Sequence, residues 1–282
     1  MLTRIITAVV ACALLIPVLI FAETPILPIA LALISVIAVY EMLSCIGLKK
    51  SLVLSIPLYL IALGLPFLVR YAPDGLALVR QASMTLAPAA VLYLFAVLTF
   101  SHGKYKLADV GICFMTVFYI LVGLNAILVL HDYESAGKYV YLLAFIGAWV
   151  TDTFAYFCGM LFGRGGKHKL IPDVSPKKTW EGSIGGVVFC ILSMLLYGFI
   201  ISKIDTHVQV NYLLLAVGGL LVSVVSQIGD LCMSVIKRTY GIKDYGKLFP
   251  GHGGVLDRFD SVLAVAVVLS AFCSFFNFFE VI

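Results

Sequence analysis

The sequence predicts an all-α membrane protein that crosses the bilayer about nine times. Three observations lead there. Of 282 residues, 62% are hydrophobic and only 12% are charged, about half the usual globular share of roughly 25%. Apolar runs of about 17–25 residues, the length that spans a bilayer as a helix, recur from end to end. The runs are continuous and do not alternate with a period of two, which disfavours a β-barrel. The same composition excludes a disordered chain and a nucleic-acid-binding arm. It also argues against a soluble α/β enzyme.

The runs are Ile5–Phe21, Pro25–Tyr40, Ser51–Val69, Met84–Phe100, Val110–Leu130, Tyr139–Phe162, Ile184–Ile201, Tyr212–Leu231 and Ser261–Ile282. The first two nearly abut and form a hairpin. Arg4 ahead of the first run resembles the start of a signal peptide, but Phe21-Ala22-Glu23 is a poor cleavage site and a second span follows at once. Residues 1–138 form an N-terminal bundle of about five spans. Residues 139–282 form a second region of about four, with two cytoplasmic loops, 163–183 and 232–260, so any chemistry is built at the cytoplasmic helix ends.

Nine spans place the connections alternately on the two sides. One side, with Arg4, collects 15 Lys and Arg residues and the other 4. That asymmetry puts the N-terminus and both long loops in the cytoplasm and the C-terminus outside. The seven cysteines are scattered, with no CxxC pair. They read as small apolar residues, with no disulfide or metal framework.

A charge inside a span is expensive and marks a functional site or a buried structural partner. Asp152 lies mid-span. Asp230 lies at the inner end of the eighth span, just before Ser234–Asp260, the densest polar stretch of the chain. If the eighth helix continues past the membrane, Asp230, Ser234 and Lys237 share one face at i, i+4, i+7, with Arg238 beside them. Pro250-Gly251 and Gly253-Gly254 then force a loop. After it a helix begins, with Asp257 and Asp260 on one face. Three convergent carboxylates make a hard oxygen site suited to Mg²⁺. Interleaved Lys237, Arg238, Lys243, Lys247 and Arg258 point to a metal bridged to phosphates that the cations also hold. His252 could contact phosphate, donate a proton or stabilise its loop. His102, His131 and His207 carry no case.

The other cytoplasmic loop has the same character. Gly163–Lys169 is basic and glycine-rich. Ser175 and Pro176 read as the cap and first position of a helix whose N-terminus, with Lys177, Lys178 and Thr179, would attract an anion. Gly182 and Gly186 read as a helix-packing notch. The aromatic cluster of Phe275, Phe276, Phe278 and Phe279 reads as lipid-facing or interfacial.

The stretch Ser234–Asp260 resembles the signature of the phosphatidate cytidylyltransferases, also called CDP-diacylglycerol synthases. The elements that carry the resemblance are Ser234, Lys237, Arg238, Lys243, Asp244, His252, Gly253, Gly254, Asp257, Arg258 and Asp260. Asp152-Thr153 with Ala155-Tyr156, Lys167–Leu170 and Ser175–Gly182 also look like that family. Together these cover about the C-terminal half; the N-terminal spans match only in hydrophobicity. Met160 and the extra Gly165-Gly166 depart from the pattern in loop detail.

The resemblance implies the reaction CTP + phosphatidate → CDP-diacylglycerol + pyrophosphate, a Mg²⁺-dependent nucleotidyl transfer of phospholipid biosynthesis. Asp230 and Asp257 would be metal ligands, with Asp260 in the same site, and a second cation is compatible. Lys237, Arg238 and Arg258 join the two aspartates as catalytic candidates. Ser175, Lys177, Lys178, Thr179, Ser234, Lys243, Asp244, His252, Gly253 and Gly254 are substrate-binding candidates. The expected partners are CTP, phosphatidate and membrane lipid, without nucleic acid; a homodimer is compatible, and a bacterial inner membrane fits the size. Two rivals stand beside this reading. One is an ion-coupled transporter using Asp152 and Asp230, although the chain lacks the half-by-half repeats common in transporters. The other is a transferase acting on a polyprenol or archaeal-type lipid.

Overall fold

The computed structural model describes residues 2–72, 75–133, 136–163 and 168–281. The basic glycine-rich segment Arg164–Lys167 lies outside them. Among the described residues nine helices form: α1 (Leu2–Ile20), α2 (Ile26–Ile46), α3 (Leu52–Tyr71), α4 (Gly75–Phe100), α5 (Leu107–His131), α6 (Gly137–Phe162), α7 (Trp180–Ile204), α8 (Tyr212–Thr239) and α9 (Leu256–Cys273). Six of them (α2, α3, α5, α6, α7 and α8) are long and apolar enough to cross a membrane. Apolar stretches of α1 and α4, Val9–Ile20 and Pro88–Phe100, are shorter. Helix α9 opens with Asp257, Arg258 and Asp260. The chain is therefore an integral membrane protein of helical class.

The fold is not wholly helical. Four short strands pair as two antiparallel ribbons: β1 (Lys169–Ile171) with β2 (Ser175–Thr179), and β3 (Val208–Val210) with β4 (Phe279–Val281). Each corrects an expectation. Ser175-Pro176 does not start a helix. A residue before proline is pushed towards extended backbone, and Ser175 lies in β2. The cap falls at Thr179, extended at φ −123°, whose hydroxyl accepts from the Gly182 amide at 3.2 Å. The last expected span, Ser261–Ile282, is helical only to Cys273. Beyond it Phe278 stacks on Phe272 and packs on Gly218, while Phe279 meets the edges of Tyr139 and Tyr197. Phe278 and Phe279 are thus buried, not lipid-facing; Phe275 and Phe276 are exposed.

The chain divides into two compact units. One holds residues 1–128 and 244–257, the other 129–243 and 258–282. In the first, α1, α2, α3 and α4 pack in sequence order. Helix α2 runs six residues past the expected Tyr40, so Glu41 belongs to a helix and not to a loop; Gly47, left-handed at φ 82°, ends it. In the second, α6 packs on both α7 and α8, which also pack on each other. Small residues allow these crossings, as packing without a hydrophobic driving force requires. A β-carbon at Gly186 would lie 3.0 Å from the Thr151 carbonyl oxygen, and one at Gly182 would lie closer still to the Ala155 carbonyl oxygen. The expected notch is therefore real. Among the described residues all seven cysteines are free thiols, four of them buried.

Replacing Gly186 by Leu should destabilise the protein by about 1–3 kcal/mol, because α6 must move aside. Thermal unfolding in detergent measures this; an unchanged Tm would remove the notch from the packing of α6 on α7.

Candidate active site

Helix α8 does continue past the expected membrane edge, to Thr239. Its polar face then forms as the spacing requires. The Ser234 hydroxyl donates to Asp230 at 3.3 Å, and Lys237, one turn further, is 8% exposed. From β2, Lys178 reaches the same carboxylate, with its ammonium 2.6 Å from Asp230 Oδ2. Lys178 thus meets Asp230 from a strand and not from a helix end.

Two more carboxylates of this unit lie within electrostatic range of Asp230. Asp152 on α6 accepts from the Ser261 hydroxyl at 2.8 Å, and Lys178 and Arg258 act on it as positive neighbours. Asp260, in the first turns of α9 and buried, accepts from the Ser261 amide at 2.9 Å and feels Asp230, Asp152 and Lys237. Asp152 is therefore both a structural partner of a buried serine and a member of an acidic group. Asp152, Asp230 and Asp260 repel one another; Lys178, Lys237 and Arg258 offset that repulsion.

Arg238 is engaged differently. Its guanidinium donates to the Val174 carbonyl at 3.4 Å and to the Ile242 carbonyl at 3.2 Å. It ties the segment before β2 to the end of α8. Lys177 and Lys243 are exposed, and Ser175 is half-buried. His168 pairs with Glu181 at 2.6 Å.

The remaining candidates lie in the segment 244–257 of the other unit. Asp244 is exposed. Phe249 and Gly253 exchange backbone hydrogen bonds of 2.9 and 3.1 Å, closing a tight turn. Gly251 and Gly253 take φ of 79° and 90°, left-handed backbone that suits glycine. His252 donates its amide to Phe249 at 2.8 Å, and its Nδ1 has no hydrogen-bond partner among the described residues. The loop is therefore stabilised by the His252 backbone. Asp257 Oδ2 accepts from the amides of Tyr245 at 2.8 Å and Gly254 at 2.9 Å. Its carboxylate packs against Gly253, which leaves no room for a side chain there.

Glu41 is a polar residue of this unit that the sequence reading missed. From α2 it accepts the amides of Val255 and Leu256. The available signal was a carboxylate directly after an apolar run, hidden by ending that run at Tyr40.

Among the described residues, no three His, Cys, Asp or Glu side chains are gathered closely enough to hold a metal ion by themselves. The donors are nonetheless of the hard-oxygen kind. Mg²⁺ is commonly held by one or two carboxylates, with water and substrate phosphates completing its shell. The donor chemistry fits that ion.

Fold and site define an integral membrane protein that concentrates carboxylates and lysines at the ends of apolar helices, an arrangement suited to polyanionic ligands. The chain belongs to the cytidylyltransferase family, whose model matches residues 2–276. It is 34% identical over 269 residues to a phosphatidate cytidylyltransferase of Staphylococcus haemolyticus, covering 95% of this chain and 96% of that protein. Similar relatives carry the same name in Staphylococcus epidermidis, at 35% over 268 residues, and Staphylococcus aureus, at 34% over 269. Coverage is 95% of this chain and 96% of the relative in both cases.

Ser261→Ala removes the hydroxyl that Asp152 accepts from. It should cost about 1–3 kcal/mol, the penalty for a buried acceptor losing its donor. Chemical unfolding in detergent checks it; wild-type stability would show that Asp152 does not depend on Ser261.

Proposed function

We propose that the protein transfers the cytidylyl group of CTP to phosphatidate, giving CDP-diacylglycerol and pyrophosphate. The observation that carries this reading is the ion pair between Lys178 and Asp230. It joins two sequence segments that each suit an anionic ligand. The names of the similar proteins, phosphatidate cytidylyltransferases, support this choice of substrates.

In this reaction a phosphate oxygen of phosphatidate attacks the α-phosphorus of CTP, and the bond from that phosphorus to the pyrophosphate oxygen breaks. The nucleophile is already ionised near neutral pH, so no strong general base is needed. The barrier lies in bringing two polyanions together and in stabilising the departing charge. Positioning and charge neutralisation therefore dominate.

Lys237, Lys243 and Arg258 hold pyrophosphate or the lipid phosphate, with Ser234 and Asp244 beside them. Ser175, Lys177, Lys178 and Thr179 take the other anion. The tie that Arg238 makes through Val174 and Ile242 brings the two basic segments to a fixed spacing. His252, Gly253 and Gly254 belong to the turn that carries Asp257, and the two glycines make room for the Asp257 and Glu41 carboxylates. Asp230 and Asp257 are the proposed Mg²⁺ ligands, with Asp260 supporting them. A bound Mg²⁺ would neutralise phosphate charge as the pyrophosphate leaves.

The charge asymmetry supports an orientation in which all nine helices belong to the membrane part. The N-terminus and the site then face the cytoplasm of a bacterial inner membrane. CTP is water-soluble and phosphatidate lies in the leaflet, so a site at the inner helix ends meets both.

Purified protein with radiolabelled CTP and defined lipids tests the reading. Labelled CDP-diacylglycerol is expected with phosphatidate, lost on chelation and restored by Mg²⁺. No labelled lipid, or label on a polyprenol instead, would overturn it. Asp230→Asn and Asp257→Asn should each lower turnover by about 10²–10³, the effect of losing one well-placed charge contact, about 3 kcal/mol. Near-normal turnover in both folded variants would sink the metal assignment.

A further inference from the structure

Glu41 has no part in the reaction as described, yet its surroundings give it a role. It is 3% exposed and lies within a helix otherwise made almost entirely of apolar residues. Both of its oxygens are used. Oε1 accepts from the Val255 amide at 3.0 Å and Oε2 from the Leu256 amide at 2.8 Å. These amides open α9, where a helix leaves its first N–H groups without intrahelical partners and favours negative charge. The neighbouring Gly254 amide goes to Asp257. Three successive amides are thus held by two carboxylates, one local and one from far along the chain. Gly246 and Gly254 both press their bare backbone against the Glu41 carboxylate, and a β-carbon at either would collide with it. From α1, the Thr7 hydroxyl donates to the Pro250 carbonyl at 3.1 Å, a second anchor on the same loop.

We propose that Glu41 is a positioning residue of the site: it clamps the start of α9 and thereby fixes the turn that carries Asp257. The proposal rests on the reading of Asp257 as part of the cytidylyl-transfer site. A carboxylate is required because both oxygens accept. Glutamine offers one oxygen, and its amide NH₂ would face a backbone N–H. Aspartate keeps the charge but is one methylene short.

Hydrogen exchange on the detergent-solubilised full chain, run beside the CTP assay, tests this. In the wild type, the amides of residues 254–256 should be protected. In Glu41→Gln they should exchange about tenfold faster or more, with peptides from α6, α7 and α8 unchanged. Turnover should fall about 10–100-fold, the usual cost of losing a group that orients a site ligand, and Glu41→Asp should recover part of both effects. Rapid exchange of residues 254–256 in the wild type would overturn the proposal. So would normal exchange and normal turnover in Glu41→Gln, or exchange accelerated uniformly across all helices, which would mark a support of the whole fold. Local loosening in Glu41→Gln with no lipid product from the wild type would leave the clamp standing and sink the proposed reaction instead.

Discussion

An ionised carboxylate surrounded by apolar helices persists only where donors or cations meet it, because no bulk water is at hand to do so. That constraint organises both units. In one, Asp152, Asp230 and Asp260 are answered by Ser234, Ser261, Lys178 and Lys237. In the other, Glu41 and Asp257 accept from backbone amides. The first arrangement balances acidic side chains against hydroxyls and cations. The second uses acidic side chains to fix a glycine-rich turn.

This division gives the glycines of the polar segment distinct reasons. Gly251 and Gly253 supply left-handed backbone. Gly246 and Gly254 are ordinary in conformation but leave room for a carboxylate. A sequence motif rich in glycine thus encodes both a bend and room for a buried acid.

Much of this was legible in the residues. The continuation of the eighth span put Asp230, Ser234 and Lys237 on one face through simple periodicity, and Gly182 with Gly186 marked the crossing of α6 and α7. Other features depended on longer-range forces. The β2 strand at Ser175–Thr179 arises from pairing with Lys169–Ile171, which outweighed a Ser-Pro helix-start signal. The end of α9 at Cys273 follows from Phe278 and Phe279 finding a buried aromatic site, information that apolar periodicity does not contain. Glu41 was missed because a hydrophobic run was ended at its first charge, whereas the helix goes on and the charge is satisfied by a segment more than two hundred residues away. Arg238 looked like a phosphate ligand by charge; its two carbonyl acceptors show that the same cation also joins loops.

The enclosure of Glu41 by two bare backbone positions has an implication for hybrids between relatives. Positions 41, 246 and 254 form one steric unit although they lie at opposite ends of the gene. A chimera joining the first five helices of one homologue to the remainder of another should inherit a working junction when all three positions match. A bulkier residue imported at 246 or 254 would call for a shorter acid at 41.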